Sequence, residues 1–149
     1  MEKLEIVKHY QTIIECEQFL LTGSLALNLI GFNCLVKDID LKIVNPSEHS
    51  ITILRNLEKE FPPVKQSLYP DNNTIRFTHE GIGVDIFIEK EKIKTSIFTK
   101  SNIEITPLNY IVKAKKSMNR AKDMLQLRNL SKDILSNEEM NKFMDTYKG

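Results

Sequence analysis

Apolar positions along the first third of the chain change period twice, and each change marks an element boundary. Across residues 4–16 they fall at Leu4, Ile6, Val7, Tyr10, Ile13 and Ile14, close to the spacing of a helix with one buried face. Phe19-Leu20-Leu21-Thr22 is a short continuous apolar run that stops at Gly23-Ser24. Leu25-Ala26-Leu27-Asn28-Leu29-Ile30 then resumes with good helix formers until Gly31. The expected order is helix, buried strand, tight turn, helix. From 38 to 44 acid or lysine alternates with Ile39, Leu41 and Ile43, a period of two that predicts a strand with its charges on one face. Asp38 and Asp40 therefore stand side by side.

Punctuation residues place the later elements. Asn45-Pro46-Ser47-Glu48 offers a capping residue, a proline at the first helical position and an acid at the third, so a helix is expected from there to about residue 61. Pro62-Pro63 closes it. Three β-rich runs follow at 65–69, 74–79 and 84–89, separated by Pro70-Asp71-Asn72-Asn73 and by a Gly81-Ile82-Gly83 turn, which predicts antiparallel hairpins. Ile97-Phe98 and Ile103-Glu104-Ile105 suggest two short strands. Thr106-Pro107 reads as a cap with proline at the first helical position, opening a helix to about residue 117. Residues 121–130 continue in helical pattern, and Ser136-Asn137-Glu138-Glu139 is a capping box for a last helix. Strands give way to helices near Ser101-Asn102. The expectation is one α+β domain over residues 1–149, with a body at 1–100 and a helical tail at 101–149 as lid or flank.

Bulk properties narrow the class. A chain of 149 residues has the length of one domain and is too short for two independent cores. With 41% apolar and 28% charged residues it sits away from the disordered and membrane classes. Met1-Glu2-Lys3-Leu4-Glu5 lacks the apolar stretch of a signal peptide, and no apolar run approaches the roughly 20 residues of a membrane-spanning helix. A cytoplasmic protein with no membrane partner is expected. A net charge of +1 argues against a protein whose main business is gripping nucleic acid by its phosphates. Cys16 and Cys34 lie in unrelated segments without metal or redox spacing and read as buried thiols. His9, His49 and His79 are scattered, and no Ser/His/Asp order can be built from them.

What remains is acidic. After Gly23-Ser24 come thirteen residues, then Asp38-Ile39-Asp40, and much later Asp85 between Val84 and Ile86. Three strand-borne carboxylates behind a small-residue turn are what a protein needs to hold Mg²⁺ against a nucleoside triphosphate. Such a set can hold two ions about 3.5 to 4 Å apart, one at the attacking oxygen and one on the triphosphate. Gly23 permits close backbone approach, and Ser24 offers a hydroxyl and an N–H at a helix start, where anions bind. Blander readings exist: Asp38 and Asp40 as solvated acids on an edge strand, and Asp85 as a structural acid, costly among apolar neighbours unless partnered. Lys113, Lys115, Lys116, Arg120 and Lys122 form a basic helical stretch that suits a solvated face and a phosphate contact equally. Asn28 and His79 read as structural or surface residues, and Tyr69 and Tyr110 as core, with stacking on a base as the alternative.

At Leu21-Thr22-Gly23-Ser24, Asp38-Ile39-Asp40-Leu41 and Val84-Asp85-Ile86-Phe87 the chain resembles the DNA polymerase β-like nucleotidyltransferase superfamily. Its motif is an apolar residue, Gly, Gly or Ser, a spacer, then Asp-apolar-Asp/Glu and a third acid on a later strand. The stretch from Lys113 through Arg120-Ala121-Lys122-Asp123 makes it similar to a small bacterial branch that includes AbiEii-type toxins and lincosamide adenylyltransferases. Leu35-Val36-Lys37 stands where relatives often carry Arg, Ser or Thr, and Gln126 where an acid is common. The resemblance implies a palm, a mixed and mostly antiparallel sheet flanked by helices, with a helical tail. It further implies that Asp38 and Asp40 bind Mg²⁺, that Asp85 completes the metal site as a candidate general base, and that Gly23, Ser24, Lys113 and Arg120 hold the NTP. Transfer of a nucleoside monophosphate to a hydroxyl of tRNA, protein or a small molecule such as an antibiotic follows, with an antitoxin partner if the chain is a toxin. The alternative from another class is a non-catalytic nucleotide-sensing or partner-binding module.

Overall fold

The alternating segment that carries the paired acids lies in the middle of the sheet. In the computed structural model, which describes residues 2–32, 34–64, 72–99 and 101–118, the elements are α1 (Lys3–Ile13), β1 (Gln18–Thr22), α2 (Gly23–Leu29), β2 (Ile39–Val44) and α3 (Glu48–Glu60). Then come β3 (Thr74–His79), β4 (Ile82–Glu89), β5 (Ile97–Phe98), β6 (Glu104–Ile105) and α4 (Leu108–Met118). The six strands form one mixed sheet in the order β3-β4-β2-β1-β6-β5. β2 pairs antiparallel with β1 and parallel with β4, while β3–β4 and β5–β6 are antiparallel and β6 runs parallel to β1. The fold is α+β, as expected. β2 is an interior strand, which removes the edge-strand reading of Asp40, while Asp38 lies exposed just before its first residue rather than within it.

Period-two burial divides the sheet into two faces. Ile39, Leu41 and Ile43 of β2, Ile75 and Phe77 of β3, and Val84 and Ile86 of β4 are buried together with Ile6, Val7 and Tyr10 of α1, Leu25 and Leu27 of α2, Leu54 of α3, and Ile111 and Val112 of α4. Each such side chain contributes about 1.5–3 kcal/mol by leaving water, so this helix-covered face holds the fold together. The opposite face carries Asp40 and Lys42, Asp85 and Phe87, and Arg76 and Thr74, all part-exposed. β1 is buried on both faces, as its unbroken apolar run implies. Beside it the chain after β4 crosses over: Gln18 Nε2 donates to Ile93 O at 2.8 Å and Gln18 Oε1 accepts from Ile93 N at 2.8 Å. The same amide also donates to the Glu104 carboxylate, so Gln18 stands in for a missing strand neighbour.

Edge strand β3 is closed by the end of α3. Glu58 Oε2 accepts the Arg76 backbone N–H at 2.9 Å, and Phe61 O accepts that of Thr78 at 2.9 Å. Capturing edge N–H groups blunts their tendency to pair with another chain. At the far side, Ile103 and Ile105 are fully buried, and the Thr106 N–H donates to Leu21 O at 3.0 Å, which brings β6 and the start of α4 against the same core.

Three boundaries differ from expectation. The cap of α3 is Ser47, whose Oγ accepts the Ser50 N–H at 3.1 Å, rather than Asn45. Asn45 adopts φ +46°, a conformation Asn tolerates, and binds the end of β4 through Glu89 O and Lys90 O, so Pro46 precedes the cap. The hairpin turns at Glu80-Gly81, both with positive φ, and Ile82 and Gly83 already belong to β4. α4 begins one residue late, with Pro107 O accepting from Tyr110 N and Ile111 N, and Thr106 Oγ1 is buried without a hydrogen-bond partner among the described residues. The strand expected at 65–69 and both helices expected after 120 lie outside the described residues. Cys16 and Cys34 are half-buried rather than buried, each thiol donating to a backbone carbonyl, and burial pushes the Cys16 thiol up. No described helix is long and apolar enough to cross a membrane.

Candidate functional site

Strand register assembles the acids. Thr22 at the end of β1 pairs with Asp40, Asp40 with Asp85 of β4, and Asp85 with Arg76 of β3, so four residues form one row across the less covered face. Asp38 sits one pleat beyond Asp40, exposed at the end where β1 turns into α2. One pleat the other way, Leu20, Lys42, Phe87 and Thr74 form the next row. Lys42 and Arg76 are the cations that the described strands place on this face.

Two glycines make room for the carboxylates. Gly23 has φ +69°, and Asp40 Oδ2 occupies the space that a Cβ there would need. Asp38 Oδ1 lies 2.6 Å from the place of a Cβ on Gly83. The Gly-Ser turn is thus tied to the second acid of the pair, and a glycine in β4 to the first. Ser24 follows in the first turn of α2, and its carbonyl accepts the Cys34 thiol at 3.2 Å. Asn28 Nδ2 donates to Cys34 O at 3.3 Å, so the loop that delivers Asp38 is pinned back onto α2.

Asp85 has a partner that the sequence reading missed. Arg76 Nε stands 3.7 Å from Asp85 Oδ1, with both side chains a little under one-third exposed. Glu58 ties the Arg76 backbone to α3 while its other oxygen accepts from Arg55 Nη1 at 2.9 Å, and Arg55 Nη2 donates to Asn72 O at 2.9 Å. Arg76 is therefore held in register from both sides. Carboxylate-only donors suit a hard cation such as Mg²⁺, and Asp38, Asp40 and Asp85 fit it in kind. Their carboxylates are not gathered on one point, however: among the described residues no group of three or more His, Cys, Asp and Glu stands close enough to share an ion.

The other candidates fall elsewhere. Lys113 is exposed on α4, and Arg120 lies outside the described residues, as do Lys122 and Tyr69. Tyr110 is 43% exposed rather than in the core. His79 is structural: its Nδ1 lies 2.7 Å from the Tyr10 hydroxyl, and His9 packs beside it at 5.6 Å between ring centroids. Burial pushes the Tyr10 hydroxyl up to about 12. Burial first, and then the charge of His9, hold His79 below the usual histidine value. A cleft of about 410 Å³ bounded by Gln18, Lys92, Lys94 and Glu104 lies at the start of β1, the end opposite Gly23.

No family model and no curated protein matches the sequence. Among solved structures, a Thermotoga maritima protein assigned provisionally as a nucleotidyltransferase superposes with a TM-score of 0.51 at 19% identity, covering 86% of this chain and 93% of that one. JHP933 from Helicobacter pylori gives a TM-score of 0.48 at 13% identity, covering 86% of this chain and 61% of that one. The first likeness is one of architecture, and it shows that the six-stranded mixed sheet with its flanking helices is the fold of the Thermotoga protein.

Proposed function

We propose that the protein is a cytoplasmic, Mg²⁺-dependent nucleotidyltransferase that moves a nucleoside monophosphate from an NTP to an acceptor hydroxyl and releases pyrophosphate. The observation that carries this reading is the register that sets Asp40 beside Asp85 on an accessible sheet face, with Asp38 one pleat away and the Gly23 turn against Asp40. The nucleotidyltransferase assignment of the Thermotoga protein of like fold supports it. Asp38 and Asp40 are the residues that would hold Mg²⁺, with Asp85 completing the set. When bound, the ion would offset charge on the triphosphate as the in-line displacement proceeds. The acceptor oxygen bonds to the α-phosphorus, its proton passes to Asp85, and the bond to the β-phosphate oxygen breaks. Gly23 and Ser24 present the turn to the triphosphate, and Lys113 and Arg120 supply cations. Labelled NTPs incubated with Mg²⁺ and candidate acceptors test this: transfer by the wild type and none by Asp38→Ala or Asp40→Ala is the expected result, and a wild type that neither transfers nor binds any NTP ends it.

The likeness to the AbiEii-type and lincosamide-modifying branch makes tRNA, protein and small-molecule antibiotics the acceptor classes to try. Inducible expression separates them. A toxin stops growth unless an antitoxin partner is present, an antibiotic-modifying enzyme raises resistance, and Asp38→Ala abolishes either effect. The Asp85–Arg76 pair favours a second reading, a nucleotide-sensing or partner-binding module, because it leaves the third carboxylate facing an arginine. Calorimetric binding of Mg²⁺-NTP without pyrophosphate release supports the module.

A further inference from the structure

We infer that Arg76 is a positioning residue that holds the third carboxylate before metal arrives and then turns to the anionic substrate. The inference rests on the nucleotidyltransferase reading and adds a residue to it. Arg76 is the direct register partner of Asp85, which in turn pairs with Asp40, so cation and carboxylates lie in one line on one face. The guanidinium competes with any metal ion for Asp85 Oδ1. That competition fits the arrangement of the acids, in which Asp38 and Asp40 rest over glycines while Asp85 faces Arg76 and, among the described residues, no three carboxylates converge.

The guanidinium is also incompletely used. Arg76 Nε is buried with no hydrogen-bond partner among the described residues, and at 3.7 Å its approach to Asp85 is an ion pair rather than a formed hydrogen bond. Buried donors are nearly always satisfied in folded proteins, so this one is suited to an acceptor that the described residues do not supply. The backbone beneath it is fixed, because Glu58 takes the Arg76 N–H and Arg55 ties Asn72 and Thr74 to α3. With Asp40 and Asp85 engaged in holding a divalent cation, the planar fork of Arg76 would be left in the same row to meet a phosphoryl oxygen of the NTP.

This exchange makes metal and nucleotide respond in opposite directions. Removing the guanidinium removes the competitor for Asp85, so Arg76→Met binds Mg²⁺ more tightly in the absence of nucleotide, by at least about fivefold, the lower end of ordinary site-to-site coupling. The same variant at saturating Mg²⁺ binds NTP about tenfold more weakly or worse, the scale of one lost charged contact. Arg76→Lys keeps a competing cation without the fork, so its Mg²⁺ affinity stays near that of the wild type while its NTP affinity falls. Calorimetric titration of the full chain, first with MgCl₂ and then with NTP at high Mg²⁺, reads both. A merely structural arginine loosens both ligands together when removed, and that result overturns the inference, as does unchanged Mg²⁺ affinity in a folded Arg76→Met. If Arg76→Met does not fold, equal affinities of Arg76→Lys and wild type for NTP overturn it. A wild type that binds neither Mg²⁺ nor NTP brings down the nucleotidyltransferase reading itself, a result distinct from either of these.

Discussion

The Asp40 carboxylate fills the space in which a side chain on Gly23 would begin. With φ at +69°, Gly23 also adopts a conformation that other residues reach at a cost of order 1–3 kcal/mol. Gly23→Ala therefore acts twice, straining the turn and pushing the acid out of its row. A loss of about 1–3 kcal/mol in urea unfolding is expected, with transfer activity down by roughly 10² because a reacting group has moved by about an ångström. Full activity in the variant would mean that Asp40 need not sit where it does.

Gly83 offers a cleaner version of the same experiment. Its φ is not positive, so an added methyl meets only the Asp38 carboxylate, 2.6 Å from its position. Gly83→Ala is expected to lower activity substantially with stability nearly unchanged. In an Asp38→Ala background it should do little further harm, because the group it displaces is gone. Additive losses in that double-mutant cycle would disconnect Gly83 from Asp38.

The strand-turn-helix at Gly23 and the alternation of β2 were legible because each is local: one apolar run, one period, one glycine. The partner of Asp85 was not, and the reason is a turn. A turn centred on Ile82 would set Asp85 opposite His79, whereas the observed Glu80-Gly81 turn sets it opposite Arg76. A shift at a hairpin tip changes every cross-strand pair beneath it. The parallel pairing of β2 with β4 was hidden for another reason, since it joins segments separated by α3 and β3 and leaves no periodic mark on either. Lys42 was legible for the same local reason, since the alternation already puts it on the face of Asp38 and Asp40.

The burial of His79 makes stability depend on pH. Burial and His9 hold the native His79 below its usual value of about 6.5, so the folded protein takes up its proton later than the unfolded chain. Its contribution is complete above about pH 6.5 and is lost as the pH falls from there towards the native value. Urea unfolding at about pH 7.5 and about pH 5.5 should show a larger loss for the wild type than for His79→Gln, which lacks this titration. Equal losses would mean that other groups set the acid limb.

Glu58 gives the last and sharpest structural test. Its ion pair with Arg55 joins side chains that are both about one-third exposed, which is worth little by itself. Its second oxygen, by contrast, accepts the Arg76 N–H on an edge strand. Glu58→Gln loses the charge but keeps an acceptor, and should unfold within about 0.5 kcal/mol of the wild type. Glu58→Ala leaves that N–H without a protein acceptor, and a loss of about 1–2 kcal/mol is expected. It also opens the β3 edge to pairing with another copy, so sedimentation should show concentration-dependent association in the alanine variant alone. Because Arg76 faces Asp85 from that strand, nucleotide binding should fall in Glu58→Ala and persist in Glu58→Gln. If both variants lose it equally, the charge of Glu58 matters and the strand register does not.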